Sequence, residues 1–169
     1  MAMVEMRLAD VRVSLPTNNP VVLLEELGGG RTLFIFIGNP EADAIVKAMR
    51  GSVPPRPLTH DLFRDVLAGV GAEVERVVVT ELRMDSEGNG TFYAELHLRH
   101  GEHRTVVSAR PSDAIAVATR VGASIFVDEA VLEAEGVFLQ QEEPGEGEEA
   151  LVEKFHDFIE GIRPEDFAS

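Results

Sequence analysis

Ser108-Ala109-Arg110-Pro111-Ser112-Asp113-Ala114-Ile115-Ala116-Val117-Ala118 is the stretch on which the reading of this chain turns. Polar residues stand at a strand-to-helix junction, and an almost wholly apolar run follows. Pro111 fits the first helical turn, where a missing N–H costs little. Ser112 and Asp113 then lie where free backbone N–H groups point outward and the helix dipole is positive. Such a junction can hold an anion, hold a metal through Asp113, or simply start a helix well. The helix, about 111–121, is too apolar all round for a surface position and belongs at the centre of the fold. Gly122 ends it.

Working outward, three strands precede the junction, at about 73–84, 91–99 and 103–109. Asp85-Ser86-Glu87-Gly88-Asn89-Gly90 joins the first two, and His100-Gly101-Glu102 turns the last two. In the middle strand Phe92, Ala94, Leu96 and Leu98 face one way; Tyr93, Glu95, His97 and Arg99 form a wet face. After the junction, Ser124 to Val127 reads as a short strand, and Asp128 caps a short helix ending at Gly136.

The earlier part of the chain follows the same logic. Val4, Met6 and Leu8 alternate, then Val11 and Val13 take the other parity, so one strand with a bulge near Asp10 is expected. Val21–Leu27 and Thr32–Ile37 flank Gly28-Gly29-Gly30 as a hairpin. Asn39 is the expected N-cap of a helix with Pro40 at N1, ending at Gly51. Pro54-Pro55-Arg56-Pro57 is a stiff connector. Thr59 is the expected cap of the next helix, whose buried stripe would be Leu62, Phe63, Val66, Leu67 and Val70, with Gly71 in the left-handed position after it. The class is α+β: an antiparallel or mixed sheet with packed helices.

At 169 residues, 44% of them hydrophobic, the chain suits one compact domain. That domain is expected over residues 1–139, an acidic linker over 140–150, and an amphipathic helix with a tail over 151–169. The last helix carries Leu151, Phe155, Phe158 and Ile159 as its stripe, and residues 151–160 offer a surface for a protein partner. No cysteine is present, which excludes disulfides and thiolate zinc sites and fits a cytoplasmic location. Met1–Leu15 has no continuous apolar core, and no run reaches the ~18 apolar residues of a membrane span. Net charge is −15, and the last 30 residues, with 10 acidic and 2 basic side chains, hold about half of the excess. Such a chain is a poor non-specific binder of nucleic acid. One segment runs against the trend: residues 97–120 set Arg99, Arg104, Arg110 and Arg120 against Glu102 and Asp113.

Two polar helix starts are the candidates for chemistry. At the first, Arg110 can grip a phosphate with its fork, Ser112 can donate, and Asp113 can hold a divalent metal or orient water. The plain alternative is that Asp113 favours the helix dipole and Arg110 pairs with a carboxylate. At the second, His60 can move protons near neutral pH, with Asp61 beside it; the plain alternative is capping. Glu81, Glu95, His97 and His103 lie on neighbouring strands and read as a solvated sheet face rather than a metal site. His-Glu-x-x-His, Gly-x-x-x-x-Gly-Lys and Gly-x-Ser-x-Gly are all absent.

Pro57-Leu58-Thr59-His60-Asp61-Leu62-Phe63, Gly71-Ala72-Glu73-Val74-Glu75-Arg76-Val77-Val78-Val79, Thr91-Phe92-Tyr93-Ala94-Glu95-Leu96 and Ala109-Arg110-Pro111-Ser112-Asp113-Ala114-Ile115-Ala116 occur in that order. The combination closely resembles the bifunctional nuclease (BFN) domain family, from about Met3 to Val137. Arg163-Pro164-Glu165-Asp166-Phe167 resembles the tails of such proteins. The resemblance implies a compact α+β fold, a homodimer or larger homo-oligomer, and activity on DNA and RNA. Its motif positions are His60, Asp61, Arg110, Ser112 and Asp113. On chemical grounds, Arg110 with Ser112, Arg99 and Arg104 would bind substrate, Asp61 and Asp113 would position Mg2+ or Mn2+, and His60 would move protons. The other class of function is a non-enzymatic oligomeric module that regulates or binds a partner.

Overall fold

The computed structural model describes residues 2–15 and 17–139. Their elements run β1 (Met3–Ser14), β2 (Asn19–Glu26), β3 (Arg31–Phe36), α1 (Asn39–Met49), α2 (Thr59–Gly69), β4 (Glu73–Met84), β5 (Gly90–His100), β6 (His103–Ala109), α3 (Pro111–Val121), β7 (Ser124–Asp128), α4 (Glu129–Glu135) and β8 (Val137–Phe138). The expected linker and the helix at 151–160 lie outside the described residues.

The eight strands form one mixed sheet in the order β6-β5-β4-β7-β1-β2-β3-β8. Two antiparallel meanders, β1-β2-β3 and β4-β5-β6, would each be an open sheet with a bare edge. β7 joins them. It runs parallel to β4, with Val77 opposite Ile125, and antiparallel to β1, with Val4 opposite Val127. α3 is the crossover that makes this possible, since it carries the chain from the outer strand β6 back to β7 at the middle of the sheet. A parallel neighbour demands such a crossover, whereas antiparallel ones need only a turn. The expected bulge in β1 is present: the register against β2 slips between Leu8 and Asp10.

The core forms where the apolar face of the sheet meets α1, α3 and α4. Leu24, Leu33, Ile45, Val77, Val79, Ile115, Val117, Val127 and Leu132 are fully or almost fully shielded from solvent. Burying each such side chain stabilises the fold by about 1.5–3 kcal/mol before the entropy of ordering it is counted. α3 is apolar all round because it is covered on several sides: by β4 and β5 below, by α1 and by α2. Ala114, Ala116 and Ala118 are buried, and their small side chains permit that close approach.

α3 stops because Gly122 adopts φ 71°, and its N–H returns to the Ala118 carbonyl at 2.8 Å. Left-handed backbone costs any Cβ-bearing residue about 1–2 kcal/mol. Gly122→Ala is therefore expected to lower stability by about 1–2 kcal/mol, read as a shift of the denaturant midpoint without a change of slope.

Three readings from sequence need correction. α1 begins one residue earlier than expected, with Gly38 as N-cap and Asn39 already helical; Asn39 makes no capping bond. α2 likewise has Leu58, not Thr59, as its N-cap, because the Asp61 carboxylate reaches back to the Leu58 N–H at 3.0 Å and supplies the cap. The largest correction concerns the α2 stripe. Leu62, Phe63, Val66 and Val70 are 53%, 40%, 54% and 62% exposed rather than buried. α2 is drawn to α3 by polar groups on its opposite side, Asp61 and His60, and this turns its apolar face to solvent.

Candidate functional site

The first turns of three helices meet at one point. α3 contributes Arg110 at its N-cap and Asp113 one turn in. α2 contributes His60 in its first turn, and α1 contributes Glu41 in its own. Each helix start carries a partial positive charge from its unpaired N–H groups, so the meeting point favours negative charge. Glu41 and Asp113 already sit in that field.

The hydrogen bonds are specific. His60 Nε2 lies 2.8 Å from Asp113 Oδ1. Arg110 Nε donates to Asp113 Oδ2 at 2.7 Å, and its Nη2 donates to Asp113 Oδ1 at 3.2 Å and to Glu41 Oε1 at 3.0 Å. Thus Asp113 is gripped by the guanidinium fork on one side and by the imidazole on the other. The His60 side chain is only 14% exposed, whereas that of Arg110 is 62% exposed. The cluster is walled in at the histidine and open at the arginine.

Burial pushes the Asp113 carboxyl up, but the hydrogen bonds from Arg110 and His60 outweigh it, and its pKa falls below the ordinary aspartate value. Asp113 is a carboxylate at neutral pH and can only accept. A neutral His60 must then carry its proton on Nε2, which leaves Nδ1 as the basic nitrogen. Among the described residues His60 Nδ1 has no hydrogen bond. The arrangement holds an oriented imidazole on one side of Asp113 and an exposed guanidinium on the other, groups of the kind used to move protons and to bind anions.

The other expected site residues are placed differently. Asp61 does not turn to the cluster. Arg120 Nε donates to Asp61 Oδ1 at 2.7 Å, and the Leu58 N–H occupies Oδ2. This pair is buried, with side chains 4% and 10% exposed, and Arg120 also donates to the carbonyls of Ala116 and Ala44. The Arg120 hydrogen bond is the main reason the Asp61 carboxyl lies below its ordinary pKa. With both oxygens engaged, Asp61 does not fit the role of sharing a metal with Asp113. Among the described residues there is no group of three or more His, Asp or Glu side chains that could hold a metal ion. Ser112 is buried in the first turn of α3 rather than displayed for a phosphate.

Arg99 and Arg104 stand away from the cluster. They face each other across β5 and β6, five residue positions along the ladder from Ala109, or about 17 Å at a strand's rise per residue. Arg99 pairs with Glu73 and with Glu75, the latter at 3.4 Å, and Arg104 pairs with Glu75 at 3.2 Å. The local positive charge read from residues 97–120 is therefore divided, and Arg110 alone of the four arginines reaches the cluster. On the wet face of the sheet, His97 pairs with Glu95 at 3.0 Å and Glu81 pairs with Arg83, which fits a solvated surface.

Glu41 is the member that sequence reasoning missed. Its signal was an acidic residue directly after Asn39-Pro40 at a helix start, but 69 residues separate it from Arg110.

An α+β domain with an acid–base cluster at meeting helix starts is the class of protein that fold and site define. Residues 21–140 match the bifunctional nuclease domain, and the chain belongs to that family. An uncharacterized protein of Mycobacterium tuberculosis (strain ATCC 25618 / H37Rv) is 44% identical over 167 residues, covering 96% of this chain and 97% of its own. Bifunctional nuclease 1 of Oryza sativa subsp. japonica is 27% identical over 143 residues, 83% of this chain but 41% of the plant protein. A bifunctional nuclease of Oryza minuta matches to the same extent. No helix among the described residues is long and apolar enough to cross a membrane.

Proposed function

We propose that this chain is a nuclease that hydrolyses phosphodiester bonds in DNA and RNA, with His60, Asp113 and Arg110 as its working residues. The observation that carries the reading is the chain of contacts from His60 through Asp113 to the exposed Arg110, in a domain of a family named for nuclease activity. DNA has no 2′-hydroxyl, so that group cannot serve as nucleophile for both polymers, and water takes the role in this reading. His60 Nδ1 takes a proton from that water as its oxygen bonds to phosphorus. Arg110 holds a non-bridging phosphate oxygen and offsets the charge that builds up on it. The P–O bond to the leaving sugar then breaks, the leaving oxygen takes a proton from solvent, and His60 returns its own proton to solvent. Asp113 is a positioning residue that holds the imidazole tautomer. This route contains no step through a divalent ion.

The test uses purified full-length protein on single-stranded and duplex DNA and on RNA, with EDTA in one arm and Mg2+ or Mn2+ in another. Hydrolysis that co-purifies with the protein and persists in EDTA is the expected result. Activity lost in EDTA and restored by Mg2+ or Mn2+ would reinstate the metal-assisted route. Activity that separates from the protein on further chromatography would remove the enzyme reading.

Arg99→Ala and Arg104→Ala are expected to change turnover by less than about threefold, under ~0.7 kcal/mol in the barrier, since Arg99 pairs with Glu73 and Glu75, Arg104 pairs with Glu75, and neither reaches the cluster. A tenfold loss in either variant would move the substrate path onto the β5–β6 hairpin.

A second reading, a non-enzymatic homo-oligomeric module, draws on one observation: the apolar face of α2 that stands open. Light scattering of the intact protein and of Val66→Asp tests it, because an oligomer built on α2 dissociates in that variant.

A further inference from the structure

The apolar face of α2 is an arc of about 100° on the helix, and its residues follow helical spacing. Leu62, Phe63, Val66 and Val70 lie on it, and Leu58 stands exposed just before it. A contiguous apolar face of this kind on a charged protein marks a binding surface.

The charge beside it is as distinctive. Residues 44–60 contain Lys47, Arg50 and Arg56 and no Asp or Glu. Lys47 is paired with Asp43. The guanidinium groups of Arg50 and Arg56 make no hydrogen bond or ion pair among the described residues, while every other described Arg or Lys side chain has a partner. In a chain of net charge −15, two free cations that shortly precede the open apolar face in sequence, Arg50 at the end of α1 and Arg56 two residues before Leu58, suit an occupant that is apolar on one side and acidic on the other.

We propose that residues 151–160 of this same chain are that occupant, docking as an amphipathic helix on the exposed face of α2. Leu151, Phe155, Phe158 and Ile159 supply the apolar stripe, and Glu153, Asp157 and Glu160 outnumber Lys154 on the flanks. Residues 140–150 can span at most ~36–40 Å, a reach comparable with the ~30 Å width of a small domain. The tether keeps its effective concentration in the millimolar range. A second copy of the chain would have to overcome mutual repulsion between two strongly acidic bodies. Nucleic acid would meet aliphatic side chains where it needs aromatic platforms, Phe63 apart. The family match stops at residue 140, yet the alignment with the Mycobacterium tuberculosis protein covers 96% of the chain. The segment thus lies outside the family's domain and within the part shared with that relative.

The chain contains no cysteine, so introduced pairs report contact cleanly. In the full-length protein, Val66→Cys is combined in turn with Leu151→Cys, Phe155→Cys, Phe158→Cys and Ile159→Cys, and each pair is oxidised at low protein concentration. At least one pair is expected to close within a single chain, since a disulfide forms only where the Cα atoms come within ~7 Å. Failure of all four pairs would overturn the proposal. So would a disulfide-linked dimer of Val66→Cys alone, which would place a second copy on α2. A second measurement does not depend on the cysteines. In a full-length Phe155→Asp/Phe158→Asp variant, amide exchange of α2 is expected to accelerate by about tenfold or more, as uncovered helices open more readily, while α3 exchanges as before. Unchanged exchange in α2 would also overturn the proposal.

Discussion

His60→Ala will lower hydrolysis of DNA and RNA together by about 10²–10⁴-fold, the usual contribution of a positioned acid–base group, while the protein stays folded. The imidazole has one hydrogen bond, to Asp113, and losing one such bond costs about 1–3 kcal/mol where the partner is a charged group. The melting curve therefore separates lost chemistry from lost fold. Asp113→Asn is the sharper variant. An amide in that place can donate to Nε2, which moves the imidazole proton to Nδ1 and leaves no base facing the substrate. Tautomer inversion of this kind costs about 10⁴-fold in the serine-protease triad. Glu41→Gln keeps an acceptor for Arg110, and its loss should stay under about tenfold, that is, under ~1.4 kcal/mol. If His60→Ala and Asp113→Asn hydrolyse both polymers at the unaltered rate, the cluster is a structural ion pair and not an active site. The direction of the Asp113 shift adds a pH expectation: its charge survives acidification to below the ordinary aspartate range near pH 4.

Arg120→Met should be the most damaging single change to stability. It leaves Asp61 as a buried carboxylate with no cation and strips a donor from the carbonyls of Ala116 and Ala44. Breaking one side of a buried ion pair costs about 3–5 kcal/mol, which corresponds to a melting temperature lower by roughly 10–15 °C for a chain of this size. Turnover per folded molecule should be unaffected, because neither residue touches the His60 cluster. Asp61→Asn and Arg120→Met combined should cost less than the two single losses added together. The sign with pH follows from the lowered pKa of Asp61. A carboxyl whose folded pKa is depressed stabilises the fold above its unfolded pKa and loses that contribution as pH falls through the folded value. Acid unfolding should therefore set in below about pH 4, and in Arg120→Met the deficit should narrow as pH falls, because the bared Asp61 carboxylate is relieved of its buried charge by taking up a proton. A Tm change under about 3 °C, the equivalent of ~1 kcal/mol, would show that water replaces Arg120 without loss.

Much of this was legible in the sequence because it is local. Strand alternation in Phe92, Ala94, Leu96 and Leu98, the turn residues of the β4–β5 loop and the all-round apolar character of α3 each declare one element. Asp128 before α4 caps it as its position suggests, accepting from the Ala130 N–H at 2.9 Å. The junction at Arg110 could also be located from sequence, since Pro111 and Asp113 mark a helix start. What stayed hidden was which distant groups meet. Asp61 and His60 are neighbours in sequence, and sequence reasoning treats them as one candidate. Helical geometry sends their side chains in different directions, Asp61 to the buried Arg120 and His60 to the half-buried Asp113. The α2 stripe exposes a related limit. Apolar residues at helical spacing state that a face is to be covered, but not by what.

β7 also governs the order in which the domain can be made. β1 precedes the other strands, and among the described residues its outer edge pairs only with residues 125–128, Met3 standing opposite Asp128. The backbone N–H of Glu129 closes the same corner on the carbonyl of Ala2 at 2.9 Å. During synthesis, β1, β2 and β3 emerge first and can form their meander, but β1 keeps a bare edge until almost the whole domain has left the ribosome. At ~5–20 residues per second that interval is on the order of 5–25 seconds. For that time the nascent chain displays an unpaired strand of the kind that recruits other strands. The short strand that joins the two halves of the sheet is thus also the step that covers the edge of β1, and the yield of soluble protein should depend on how soon residues 124–128 follow.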